Sequence, residues 1–238
     1  MKPTNYIPVG SANTLYEQPV GVRHQHSNII NENYNMWDYT AKIIMIGDTN
    51  TGKTSTLYSL QNYKLDTTPS STIGVEFAAI LYKHAAKIFK FQIWDTAGQE
   101  KFHSITKSFF KNSTIAMLFC DLTNYKTFRS LPSWLYDLSR HAPEDVIIIL
   151  VGNKSDLHEQ RQVSYDEIVE FAQMNSLPYC ETAAILGSGV DTILETMCTI
   201  LYEKIKTSGV KNIKGMREKH LVEVKTGNSK LCDSCHIM

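Results

Sequence analysis

Lys42-Ile43-Ile44-Met45-Ile46-Gly47-Asp48-Thr49-Asn50-Thr51-Gly52-Lys53-Thr54 is the stretch that decides how this chain is read. A continuously apolar run ends in a glycine, and G-x-x-x-x-G-K-[ST] then opens onto a helical pattern over 53–61. The run reads as a strand buried on both faces. The glycines let the backbone turn tightly, so that successive N–H groups and a helix N-terminus point at phosphate oxygens. Asn50, Thr51, Gly52 and Ser55 then belong to the phosphate cradle. Lys53 is placed to reach the β- and γ-phosphates, and the Thr54 hydroxyl to ligate Mg2+.

Working outward, short apolar runs alternate with helical patterns. Strands are expected over 42–46, 73–81, 87–94, 114–120, 146–151 and 178–180, and helices over 53–61, 127–140, 164–174 and 192–206. That alternation predicts an α/β domain: a doubly wound, mostly parallel six-stranded sheet with helices on both faces. The stretch 73–94 reads as a hairpin, which makes one strand antiparallel. Residues 1–38 are polar, rich in Asn and without period, and read as a disordered extension. The domain is expected over 39–206, followed by a flexible basic tail over 207–238.

Phosphate loops serve adenine and guanine nucleotides alike, so the base is decided elsewhere. Asn153-Lys154-Ser155-Asp156 follows the strand over 146–151 and faces the same crevice as the phosphate loop. A carboxylate at Asp156 accepts both the N1–H and the exocyclic amino hydrogens of guanine. Adenine offers neither and would leave that carboxylate unpaired. Trp94-Asp95-Thr96-Ala97-Gly98-Gln99-Glu100 closes another strand. Asp95 is a candidate Mg2+ residue, acting through a water. The Gly98 N–H is a candidate γ-phosphate sensor, and Gln99 is placed to orient the attacking water.

Composition narrows the field. The 238 residues are 42% apolar and 20% charged, with zero formal net charge, so no whole-protein field points to nucleic acid. The charge is uneven, because residues 204–238 hold eight Lys/Arg against three Asp/Glu. Of five cysteines, Cys120, Cys180 and Cys198 stand among apolar neighbours, as buried thiols in a reducing compartment do. The N-terminus has no apolar signal region, Lys2 excludes N-myristoylation, and no apolar run reaches 18 residues.

Together these residues resemble the Ras superfamily of small GTPases, and its Rab branch in particular. The Rab-like stretches are Ser71-Thr72-Ile73-Gly74-Val75-Glu76-Phe77, residues 91–102 and residues 151–157, and the resemblance covers roughly residues 39–206. It implies a P-loop G domain that binds GTP and GDP with Mg2+, hydrolyses GTP slowly and acts as a switch in vesicle traffic. Thr72 would be the threonine that caps Mg2+ and the γ-phosphate, and so orders its loop only with GTP. Phe77, Trp94 and Phe109 would form an aromatic triad that meets effectors. An exchange factor and a GTPase activator are implied at the same switch regions.

Some positions depart from the family. Leu65 stands where an aromatic ring usually flanks guanine. Glu181-Thr182-Ala183-Ala184-Ile185 resembles the E-T-S-A-K base loop but lacks its serine and lysine. Ala183 and Ala184 remain base-loop candidates. Leu65, Ala183 and Ile185 together predict faster GDP release, and the bulky Thr49 and Asn50 add departures in the phosphate loop. They also motivate one alternative, a nucleotide-locked binding module without turnover. A P-loop ATPase is the other, and Asn153 and Asp156 oppose it. The C-terminal Cys235-His236-Ile237-Met238 fits a C-a-a-X prenylation signal, and Cys232 is a candidate for acylation. A single lipid binds reversibly, so the basic tail is expected to supply a second membrane signal. The expected location is cytoplasmic, peripheral on the cytosolic face of an endomembrane or the plasma membrane.

Overall fold

The structure is a computed structural model that describes residues 29–30, 36–61, 72, 75–96 and 108–218. Its strands are β1 (Ile29–Ile30), β2 (Tyr39–Gly47), β3 (Val75–His84), β4 (Lys87–Thr96), β5 (Ile115–Asp121), β6 (Ile147–Asn153), β7 (Tyr179–Thr182) and β8 (Met216–Glu218). Its helices are α1 (Lys53–Leu60), α2 (Tyr125–Arg129), α3 (Leu131–His141), α4 (Tyr165–Met174) and α5 (Val190–Ser208). The sheet order is β1-β3-β4-β2-β5-β6-β7, with β8 beside β2. The pairs β4–β2–β5–β6–β7 are parallel, and β3 joins β4 as the antiparallel arm of a hairpin.

Alternation along β2 builds the two layers. Ile43 and Met45 point into one apolar cluster with Leu57 and Leu60 of α1 and Ile193, Met197 and Leu201 of α5. Ile44 and Ile46 point the other way, against Trp134 and Leu138 of α3 and Ile168 and Ala172 of α4. Each such Ile, Leu or Met side chain taken from water stabilises the fold by about 1.5–3 kcal/mol before entropy is counted. The doubly wound α/β architecture expected from the sequence is the one observed.

Three details differ from the expected elements. The helix expected over 127–140 forms as two, because Pro132 has no N–H to give the Phe128 carbonyl, and α3 restarts with that proline in its first turn. The two additional strands are short. Ile29–Ile30 pairs antiparallel with Leu81 and Tyr82, inside the stretch expected to lack structure. Beyond α5, Met216–Glu218 pairs antiparallel with Tyr39–Ala41, inside the expected tail. Elements of two or three residues carry no readable period, and only tertiary pairing fixes them.

A nucleotide site at the carboxyl ends of the strands

β2, β4, β5, β6 and β7 end side by side, so the loops leaving Gly47, Thr96, Asp121, Asn153 and Thr182 crowd one end of the sheet. Two glycines are required there. A Cβ on Gly47 would lie 2.5 Å from the Phe119 carbonyl oxygen, and one on Gly52, at φ +88°, would lie 2.0 Å from Asn153 Nδ2. The loop wraps around Lys53, whose Nζ donates to the carbonyls of Gly47 at 2.9 Å and Asp48 at 2.8 Å. Burial brings the Lys53 ammonium down to about 8, with Asp95 and Asp48 opposing the shift. Thr51 is fully buried and donates to the Asp48 carbonyl, Asn50 turns through φ +63°, and Ser55 is half-buried on α1.

Beside the lysine three oxygens converge. Thr54 Oγ1 donates to Asp95 Oδ2 at 2.5 Å and lies 2.7 Å from Thr72 Oγ1, which is itself 3.4 Å from the same carboxylate oxygen. Asp95 is fully buried, and among the described residues its Oδ1 has no hydrogen-bond partner. Burial pushes the Asp95 carboxyl up to about 6, with Thr54 and Lys53 pulling it down. One carboxylate and two hydroxyls suit a hard cation that keeps water and phosphate oxygens among its ligands. An orphaned buried carboxylate oxygen beside them also fits such a cation, because an unpaired buried acceptor otherwise costs about 1–3 kcal/mol.

Asn153 is the junction of the site. Its Nδ2 donates to the Thr51 carbonyl at 2.9 Å, and its Oδ1 accepts from Thr182 Oγ1 at 3.0 Å and the Ala184 N–H at 3.2 Å. One side chain thereby locks the phosphate loop, the base motif and the Ala183–Ala184 loop together. Lys154, at φ +65°, pairs with Asp121 Oδ2 at 2.6 Å, and Asp156 is half-buried in the following turn. Ala183 is buried and exchanges backbone hydrogen bonds with Ser188, while Ile185 and Leu186 are exposed beside it. Phe77, Trp94 and Phe109 form one row, with centroids 4.9 and 5.3 Å apart, and Phe77 is 49% exposed.

Gly98, Gln99, Leu65, Cys232 and Cys235 lie outside the described residues. Two contributors were missed from sequence. Asp121 ends β5 and Asp95 is the last residue but one of β4, and a carboxylate at the end of an apolar strand is the signal that marks both. Trp134, which donates to Asp48, carries no such signal because its pattern on α3 is that of a core residue.

A sequence profile of the Ras family matches residues 42–203. The chain belongs to the Ras family. The "Ras-related protein RABA4b" of Arabidopsis thaliana is 38% identical over 168 residues, covering 71% of this chain and 75% of that protein. The "Ras-related protein Rab-11A" of Dictyostelium discoideum is 37% identical over 166 residues, covering 70% and 78% respectively. This Ras-family protein is therefore a Rab-like small GTPase: it binds guanine nucleotide, hydrolyses GTP and is of the kind that regulates vesicle traffic. Among its described residues no helix is long and apolar enough to cross a membrane.

Proposed function

We propose that this GTPase holds GTP or GDP with Mg2+ at the carboxyl end of its sheet and uses the difference between the two to choose partners. The observation that carries the reading is the convergence of Thr54, Thr72 and the Asp95 carboxylate, with its unpartnered Oδ1, beside Lys53. Asn50 to Ser55 cradle the phosphates through backbone N–H groups. Lys53 exchanges its loop carbonyls for β- and γ-phosphate oxygens. Thr54 and Thr72 would hold Mg2+ directly and Asp95 through a water; bound there, the ion neutralises charge on the transferring phosphoryl group. Gln99 orients a water whose oxygen bonds to the γ-phosphorus as the bond to the β-phosphate oxygen breaks, giving GDP and phosphate. Gly98 donates its N–H to the γ-phosphate, so hydrolysis frees both Thr72 and Gly98.

Asp156 reads the guanine edge, with Lys154 and the Ala183–Ala184 backbone beside it. The row Phe77–Trp94–Phe109 meets effectors. An exchange factor and a GTPase activator act on the same switch regions, and Cys235, helped by Cys232, anchors the protein on the cytosolic face of a membrane. Competition for bound, labelled GDP tests the core of this reading. GTP displaces it and ATP does not; displacement by both at equal concentration overturns it.

A further inference from the structure

Beyond α5 the chain does not simply leave the domain. Ile213 and Met216 are buried, Thr114 Oγ1 donates to the Lys214 carbonyl at 3.0 Å, and β8 lies against Tyr39–Ala41. Gly215, at φ +71°, passes so close to Asn112 that a Cβ there would lie 1.9 Å from its carbonyl oxygen. This clasp follows the stretch matched to the Ras family, which ends at residue 203. It sits at the amino ends of the parallel strands, and α5, with 19 residues, separates it from the nucleotide end by about 28 Å.

The clasp gathers charge. Lys111, Lys211, Lys214 and Arg217 are exposed, and among the described residues none of the four joins an ion pair. Of the acids at this end, Asp38 pairs with Lys87 and Asp145 with Lys204, while Glu144 and Glu218 are exposed, Glu218 within the field of Lys87. Residues 219–238, which follow β8 in the sequence, contain Lys219, Lys225, Lys230, Cys232 and Cys235.

We propose that the clasp is a docking face for an anionic lipid surface, so that the domain stands on the membrane with its β8 end down and its nucleotide end outward. The proposal extends the membrane reading above. A cation held near an anionic bilayer raises partitioning about fivefold, and the four exposed cations at this end of the domain act together. The attraction is screened over roughly 8–10 Å in physiological salt, so it needs this face in contact with the lipid headgroups.

The test uses full-length, GDP-loaded protein made without lipidation, which separates it from any failure of the cysteine anchor. It is sedimented with phosphatidylcholine vesicles, alone or containing about a quarter phosphatidylserine. Partitioning is expected only with phosphatidylserine, and it weakens as salt rises. Lys111→Ala/Lys211→Ala/Lys214→Ala/Arg217→Ala lowers it about tenfold or more with unchanged GDP affinity. Lys219→Ala/Lys225→Ala/Lys230→Ala lowers it less. Equal partitioning of parent and fourfold variant, indifference to phosphatidylserine, or loss confined to the tail variant overturns the proposal.

Discussion

The indole Nε1–H of Trp134 donates to Asp48 Oδ1 at 2.8 Å, tying α3 to the second residue of the phosphate loop. The Asp48 carbonyl meanwhile accepts from Lys53 and Thr51, so one residue holds the loop to the helix outside it and to the lysine inside it. A hydrogen bond to a charged group contributes about 1.5–3 kcal/mol. Trp134→Phe keeps most of the packing and removes the donor. GDP release is therefore expected to quicken about tenfold. Asp48→Ala should do the same, Asp48→Asn should largely rescue it because the amide oxygen still accepts, and the double variant should be no worse than either single one. Additive effects in a fluorescent GDP release assay would separate the two residues.

The buried Asp95 carboxyl predicts a pH dependence. Its folded value of about 6 stands above the ordinary 3.8, so the nucleotide-free folded protein binds more protons than the unfolded chain. Its contribution is fully present below about pH 4 and is lost as pH rises through about 6, on the order of 3 kcal/mol in all. Asp95→Asn removes that slope. The variant should melt above the parent at pH 7 and converge with it at low pH, while its nucleotide affinity ceases to respond to Mg2+. A parent whose melting temperature shows no fall relative to the variant over this window would contradict the burial argument.

In the proposed site Asp156 selects the base. Asp156→Asn places a donor where guanine also donates, so GTP affinity should fall by several kcal/mol and xanthosine triphosphate should compete better. Equilibrium competition measures both, and an unchanged order of preference removes Asp156 from the base site.

The proposed anchor is Cys235. Cys235→Ser should shift the protein from membranes to the soluble fraction of cells, because the basic residues alone supply only screened attraction. Cys232→Ser should give a partial loss. Retention of the double variant on membranes shows that neither thiol carries the anchor.

Much of this was legible in the sequence because its signals are local. The G-x-x-x-x-G-K-[ST] run, the strand-end Asp95 and Asn153-Lys154-Ser155-Asp156 each encode a loop whose neighbours in sequence are its neighbours in space. Periodicity placed the six longer strands, because each has a core on one or both faces. What escaped was non-local. Trp134 meets Asp48 across the crevice, β8 is fixed by a partner strand some 175 residues earlier, and Asn153 proves to be a brace between three loops. Pro132 was visible, but helical spacing continued across it, and the break in the backbone hydrogen bonds outweighed the pattern.

Hydrolysis tests the central claim most directly. A single-turnover measurement follows GTP bound to the full-length protein with Mg2+, in parent and Gln99→Leu. The account predicts slow conversion to GDP by the parent, on the order of 10⁻⁴ to 10⁻² s⁻¹ without an added activator, and slower conversion still by the variant at unchanged GTP affinity. GTP that stays intact on the parent, or that Gln99→Leu hydrolyses equally fast, would contradict it.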